Sequence, residues 1–326
     1  VESELKMYNV LITGAAGFIA RNFIDIYGKT FDKVYYADKL STCSDIEFFN
    51  SLPQEDTFRG CISGITKEWL KERRIKQVIN FASESHVDNS IESPLSFTVS
   101  NTYATHSLLE ACRQYGDIEC FVQVGTDEVY GTLEECDRPF TEEHKIQPNS
   151  PYSASKAAQD LMCRAYFETY KFPVVITRCS NNYGPWQHPE KFIPKAIGKI
   201  LNGEKVPVYG KGENVRDWIH VADHCHGIFL ALRFGEYGEV YNFGGDCELS
   251  NVGVIQYIVD NTVGGDYEDN VEYVTDRLGH DLRYSIDFWL AKKEFGFVPF
   301  RNFDEGIREL IEWSKENKEW LDARAK

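Results

Sequence analysis

The chain has 326 residues, of which 42% are hydrophobic and 26% charged, enough for one large domain and a smaller lobe. With 51 acidic against 35 basic residues its formal net charge is −16, which excludes nucleic acid and anionic membrane as partners, because phosphate contact there demands a basic patch. No apolar run reaches about 18 residues, and nine cysteines without paired spacing fit a reduced, cytoplasmic setting better than a disulfide framework.

Tyr8 to Thr13 (YNVLIT) is a short β-branched run that stops at Gly14, which predicts a buried parallel strand. Gly14-Ala15-Ala16-Gly17-Phe18-Ile19-Ala20 follows, and then a helical stretch from Arg21 to Tyr27. Glycines let the backbone turn tightly against a pyrophosphate, and the helix N-terminus offers unpaired N–H groups to the anion. A second strand, Lys33 to Ala37, ends at Asp38, where a carboxylate would bind adenosine ribose hydroxyls and disfavour a 2′-phosphate. The glycines alone are weak support. With strand, helix, second strand and terminal acid in order they predict NAD binding.

Further on, Gln77 to Phe81 reads as a strand, Pro94 to Gln114 as one long helix, and Cys120 to Val124 as a strand. Ser153 to Tyr170 reads as a helix, and Val174 to Thr177 and Tyr241 to Gly244 as strands. This alternation predicts an α/β fold: a Rossmann-type doubly wound parallel sheet, with ligands at the carboxyl ends of its strands and a smaller C-terminal α/β substrate-binding lobe. The expected nucleotide-binding domain is 1–184 plus 217–246, and the lobe is 185–216 plus 247–326.

Two clusters carry chemistry. Tyr152-Ser-Ala-Ser-Lys156 puts a phenol and an ammonium one helical turn apart, and a nearby cation favours the tyrosinate that could take a proton from a sugar hydroxyl. Thr126-Asp127-Glu128 stands two residues past the strand ending at Val124. Adjacent acids there can divide base and acid work in an elimination of water. A surface Tyr/Lys pair and a solvated acidic loop are the bland alternatives, and position favours function in both. His220, His224 and His226 raise the question of a metal. His220 and His224 are expected on one helical face with His226 elsewhere and no carboxylate cluster beside them, so no metal site is expected.

With these residues in view, the chain resembles the dTDP-glucose 4,6-dehydratases (NDP-glucose 4,6-dehydratases) among the extended short-chain dehydrogenases/reductases, over nearly its whole length. The resemblance rests on GAAGFIA (14–20), ASESHVD (82–88), TDEVYG (126–131), YSASK (152–156), NNYGPWQHPEKFIP (181–194), VRDWIHVADHCHG (215–227), YNFGG (241–245) and TDRLGHDLRYSID (275–287). The acid pair of the TDE triplet is what sister epimerases and decarboxylases lack.

The resemblance implies NAD, tightly bound and regenerated in each turnover, held by Gly14, Gly17, Phe18, Ile19, Asp38, Lys39, Ile62, Ala82, Tyr152 and Lys156. It implies that Tyr152, with Lys156 and Thr126, removes the hydroxyl proton at carbon 4. Glu128 would take the proton at carbon 5, and Asp127 would protonate the hydroxyl leaving carbon 6. The nucleotide sugar, dTDP-glucose or UDP-glucose, would be bound through His86, Asn182, Lys191, Arg216, Asn251, Arg277 and His280, in a deoxysugar pathway such as that to rhamnose. A homodimer through the helices near Pro94–Gln114 and Ser153–Tyr170 is also implied. The chain departs from the family pattern at Ala20 in place of the third glycine, at Cys61 in place of an acid near the adenine, and at Asn89 in place of an arginine. The rivals are a sister epimerase or decarboxylase and a silent NAD-binding scaffold.

Overall fold

The computed structural model describes residues 8–276 and 281–324. In chain order its strands are β1 (Asn9–Thr13), β2 (Lys33–Asp38), β3 (Thr57–Arg59), β4 (Gln77–Asn80), β5 (Cys120–Val124), β6 (Val174–Cys179), β7 (Asn181–Tyr183), β8 (Val206–Tyr209), β9 (Val215–His220), β10 (Val240–Phe243), β11 (Glu248–Ser250), β12 (Val271–Val274) and β13 (Arg283–Tyr284). The described chain divides into two compact units. The first takes the described residues of Val1–Val129, Ile146–Arg178 and Cys225–Tyr241, the second those of Tyr130–Lys145, Cys179–His224 and Asn242–Lys326.

Seven strands form one sheet in the order β10-β6-β5-β4-β1-β2-β3. The pairs from β3 through β2, β1, β4 and β5 to β6 are parallel. The doubly wound parallel sheet expected from the alternation of strands and helices is therefore present. Its central strands are mostly apolar, as covering on both faces requires: Val10, Leu11, Ile12, Val78, Ile79, Phe121 and Val122 are completely buried. Leu108, Leu109, Cys112 and Cys163 from two helices pack against the same core. Each large apolar side chain so buried contributes about 1.5–3 kcal/mol. The chain winds outward from β1 in both directions, so the carboxyl ends of β1 and β4 flank the point where strand order reverses. That is where such sheets bind ligands.

The second unit has its own core, in which Ile193, Ile197 and Ile200 meet Val254, Ile258, Ile307 and Leu310. Its central strand is β9, which pairs antiparallel with β11 and parallel with β13 and β7. A separate parallel pair joins β8 and β12.

Three elements differ from the reading of the sequence. The first helix runs Phe18–Tyr27 and starts inside the glycine motif, with Gly17 as its N-cap. The expected long helix from Pro94 is not uniform. Helical turns at Pro94–Phe97 and Ala104–Tyr115 enclose a π-helical stretch, Thr98–Tyr103. The helix after Asn149 runs Pro151–Tyr170, begun by a reciprocal Ser150–Ser153 capping box with Pro151 in its first turn, where a missing N–H costs nothing.

Candidate active site

At the end of β1 the chain turns through Gly14, whose φ is +65°. A Cβ on Gly14 would lie 2.9 Å from the backbone nitrogen of Ala82, so glycine is required here for conformation and for close approach. The Ala82 N–H donates to Thr13 Oγ1 at 3.2 Å, which ties the end of β1 to the segment leaving β4. Among the described residues no side chain caps the helix Phe18–Tyr27. Its first N–H groups can therefore serve a small anion, with Phe18 and Ile19 in the first turn.

Asp38 closes β2 and is 6% exposed. Its Oδ2 accepts from Ala16 N at 3.0 Å, and its Oδ1 accepts from Leu40 N at 2.7 Å and Ser44 Oγ at 3.0 Å. Burial pushes this carboxyl above its ordinary value, and the Leu40, Ala16 and Ser44 hydrogen bonds oppose the shift. A carboxylate offers about four acceptor sites, so about one remains for a ribose hydroxyl. Lys39 is engaged with Glu84 Oε1 at 2.6 Å and Ser100 Oγ at 2.9 Å. Ile62 is buried at the start of a short 3-10 turn capped by the exposed Cys61. Ala20, at the third-glycine position, is buried in the helix Phe18–Tyr27.

The TDE triplet follows β5, with Asp127–Tyr130 in a 3-10 turn. Thr126 and Asp127 are buried and Glu128 is partly exposed. The Thr126 hydroxyl donates to Asp127 Oδ1 at 3.3 Å and accepts from Glu128 N at 3.4 Å, which holds the two acids in one tight turn. Lys156 is 3% exposed, and its Nζ donates to Val124 O at 2.7 Å. That bond fixes the helix bearing Tyr152 to the strand end two residues before Thr126. Tyr152 is buried edge-on to Phe97, with ring centroids 6.3 Å apart. All five candidate catalytic residues thus belong to one unit and gather about the end of one strand and one helix.

Beneath them runs a buried polar chain that inspection of motifs missed. Thr13 Oγ1 donates to Asn80 Oδ1 at 2.5 Å, and Asn80 Nδ2 donates to Gln123 Oε1 at 2.8 Å and Thr105 Oγ1 at 3.2 Å. Gln159 Nε2, on the Tyr152 helix, donates to the same Thr105 Oγ1 at 2.6 Å. Asn101, completely buried in the π-helical stretch, accepts from Glu84 N at 2.8 Å and donates to Glu84 O at 3.1 Å and Ser155 Oγ at 2.8 Å. Its third partner lies three residues from Tyr152. The signal in the sequence was a polar residue inside otherwise apolar parallel strands, Asn80 in QVIN and Gln123 in CFVQV.

The remaining positions are more scattered. His86 caps the short helix Val87–Glu92, in which Asn89 sits. In the second unit Asn182 lies on β7 and donates to Ser180 O at 3.0 Å, while its Oδ1 meets His224 Nδ1 at 2.9 Å. Lys191 is the N-cap of the helix Phe192–Leu201. Arg216 is buried on β9, with its guanidinium 4.4 Å from the Tyr284 ring centroid. It already donates to Val215 O at 2.7 Å, Asp281 O at 3.0 Å and Leu282 O at 3.3 Å. Asn251 opens the helix Asn251–Asp260. Arg277 and His280 lie outside the described residues.

The expected pairing of His220 and His224 on one helical face is corrected, because His220 ends β9 and the helix begins at Val221. Each ring has its own partner: Ala222 N to His220 Nδ1 at 3.2 Å, Asn182 for His224, and the Tyr27 hydroxyl to His226 Nδ1 at 2.9 Å. Burial lowers the first two to about 3, so both are neutral at physiological pH.

A parallel sheet with an uncapped glycine-turn helix, and an acid pair beside a Tyr-Lys helix, define a dinucleotide-binding enzyme fold of the short-chain dehydrogenase/reductase type. The family model for GDP-mannose 4,6 dehydratase matches residues 11–310. A dTDP-glucose 4,6-dehydratase of Xanthomonas campestris pv. campestris is 43% identical, covering 95% of this chain and 94% of its own. The crystal structure of DesIV (dTDP-glucose 4,6-dehydratase) from Streptomyces venezuelae with NAD and TYD bound superposes with a TM-score of 0.89 at 39% identity, over 97% of this chain and 99% of that one. That of a dTDP-glucose 4,6-dehydratase from Bacillus anthracis in complex with NAD gives 0.88 at 40%, over 98% and 99%. The chain therefore belongs to the NDP-glucose 4,6-dehydratase family of extended short-chain dehydrogenases/reductases.

Proposed function

We propose that this protein is an NAD-dependent dehydratase that converts a nucleotide-activated glucose, dTDP-glucose or UDP-glucose, into the 4-keto-6-deoxy sugar. The observation that carries the reading is the TDE turn at the end of β5, anchored to the Tyr152 helix by the 2.7 Å bond from Lys156 Nζ to Val124 O. The relatives named above, with NAD in both solved structures, support the same chemistry.

NAD would be held by Gly14, Gly17, Phe18 and Ile19 at the pyrophosphate, by Asp38, Lys39, Ile62 and Ala82 along the adenosine side, and by Tyr152 and Lys156 near the nicotinamide. When bound it supplies a hydride acceptor for carbon 4 and a hydride donor for carbon 6. Tyr152 takes the proton of the carbon 4 hydroxyl, with Lys156 and Thr126 beside it favouring the phenolate. Glu128 removes the carbon 5 proton once a ketone next to it makes that proton acidic. Asp127, in the same turn, delivers a proton to the hydroxyl leaving carbon 6. His86, Asn182, Lys191, Arg216, Asn251, Arg277 and His280 are assigned to the sugar nucleotide. We keep 1–184 plus 217–246 as the cofactor domain and 185–216 plus 247–326 as the substrate lobe.

The same reading includes a homodimer and a cytoplasmic location. Leu95, Val99 and Tyr103, spaced by four on one face, are 73%, 51% and 61% exposed, and Leu161 on the Tyr152 helix is 53% exposed. Apolar exposure of that size on two helices is what a partner's helices would cover. All nine cysteines are free thiols, and among the described residues no helix is long and apolar enough to cross a membrane.

The deciding experiment incubates purified protein with dTDP-glucose and UDP-glucose separately and identifies the products by mass spectrometry. Loss of one water with no net reduction of NAD is the expected result. Inversion or loss of carbon dioxide from other sugar nucleotides, with no dehydration, would replace this reading by an epimerase or decarboxylase. No turnover of any of them would leave a silent scaffold.

A further inference from the structure

The turn that follows β7 is held by side chains from the far C-terminal end of the chain. Trp186 has φ +69°, a left-handed conformation that a bulky L side chain seldom keeps unless its surroundings impose it. Here the surroundings are two other indoles. Trp313, on the helix Phe303–Glu316, lies edge-on with its ring 4.9 Å from Trp186, and Trp320, on the helix Lys318–Arg324, lies 5.4 Å away. The two are 5.8 Å from each other, which closes a triangle, and Arg324 stacks on Trp320 at 4.5 Å.

The same C-terminal pair of helices grips the segment at two further points. Tyr183 packs on Phe303 at 5.1 Å, and Gly306 leaves the room its hydroxyl needs, since a Cβ there would clash with it. Lys318 Nζ donates to Asn202 Oδ1 at 2.7 Å, just past the helix Phe192–Leu201. The held turn bears directly on Asn182 and Lys191. Gln187 Nε2 donates to Asn182 O at 2.9 Å, and Lys191 N donates to His188 O at 3.0 Å.

Of the residues of the helix Lys318–Arg324, only Leu321 is buried. An aromatic clamp of this kind costs little conformational entropy for the area it covers.

We propose that Trp320, with Trp313, is a positioning residue for the sugar-nucleotide site. The two indoles hold Trp186 in its left-handed conformation and so fix the turn that presents Asn182 and Lys191 to the nucleoside diphosphate. The ligand in this inference rests on the function proposed above, whereas the holding of the turn does not.

The test compares the full-length, NAD-loaded protein with its Trp320→Ala and Trp320→Phe variants. Hydrogen exchange of the amides at 184–191 is measured first, and then KM and kcat with dTDP-glucose and with UDP-glucose. In Trp320→Ala those amides should exchange at least about tenfold faster, and KM for the sugar nucleotide used should rise about tenfold. The chemistry residues are untouched, so kcat should stay within about twofold. Trp320→Phe keeps an aromatic ring and should restore both quantities. If the alanine variant does not fold, Trp320→Leu replaces it under the same criteria.

Unchanged exchange at 184–191, an unchanged KM, or a phenylalanine variant as impaired as the alanine one would each overturn the proposal. If the wild type turns over neither sugar nucleotide, the proposed reaction fails by itself. The exchange comparison then decides alone, with faster exchange upholding the clamp and unchanged exchange ending it.

Discussion

Individual residues here derive their roles from what they are fixed to. Tyr152 is a buried phenol on a capped helix, and Lys156 is locked to the end of β5, so removing the phenol hydroxyl should remove the proposed base and leave the scaffold intact. Tyr152→Phe is expected to lower kcat by at least about 10²–10⁴-fold with an unchanged melting temperature, measured by product formation from the active sugar nucleotide. Glu128→Gln should oxidise the sugar and then stall, with reduced cofactor building up in a single turnover. Turnover at the wild-type rate would end the assignment of Glu128.

His224 gives a second prediction at this scale. It is fully buried, its Nδ1 is joined to Asn182 Oδ1, and its Nε2 has no partner among the described residues. Protonation would bury an unpaired N–H, and burial accordingly lowers it from 6.5 to about 3. Below pH 6.5 the unfolded chain takes up this proton and the folded protein does not. Stability from this group is therefore fully present above 6.5 and is lost as pH falls, by about 1.4 kcal/mol per pH unit until the folded value is reached. Asp217 acts in the opposite sense: burial raises its carboxyl from 3.8 to about 6, so its contribution is lost as pH rises across that window. Urea titrations at pH 6 and 5 should show His224→Asn losing about 1.4 kcal/mol less than the wild type over that unit. An identical loss in both proteins would show that His224 does not stay neutral.

Among the elements, the π-helical stretch Thr98–Tyr103 has the most to explain. A π turn inside a helix is rare and tends to mark a functional position. Its consequence here is that Asn101 faces inward and bonds both backbone groups of Glu84 and the hydroxyl of Ser155. Regular α-helical winding from Pro94 would set the residues of this stretch at different angles about the axis. Asn101→Ala should leave the Glu84 groups and Ser155 short of partners, at a cost of about 3 kcal/mol in chemical denaturation. It should also lower kcat, because the Tyr152 helix loses a tether. A variant as stable and as active as the wild type would show that the network is idle.

Over the whole molecule, the exposed row Leu95, Val99 and Tyr103 with Leu161 bears on assembly. Wild-type protein is expected to sediment as a dimer at micromolar concentration, and Leu95→Glu with Tyr103→Glu to sediment as a monomer, since charge on a buried apolar face carries a desolvation cost that water does not impose. A monomeric wild type would remove the proposed homodimer.

The sequence by itself determined the doubly wound parallel sheet and pointed to the candidate residues that gather about the end of β5. Those features are local: β-branched runs, glycine spacing, a terminal acid and an i, i+4 pair are each written within a few residues, and backbone geometry leaves them few outcomes. The tertiary structure decided what depends on residues far apart. It broke the long helix at Thr98–Tyr103, where Asn101 finds partners 17 and 54 positions away. It drew Asn80, Gln123, Thr105 and Gln159 into one buried chain that no spacing announces. It moved His220 off the helix onto β9, and it brought Trp313 and Trp320 onto Trp186 across more than a hundred residues. A buried polar group or a strained turn must be satisfied by whatever side chain the fold places beside it, and that choice is made in space rather than along the chain.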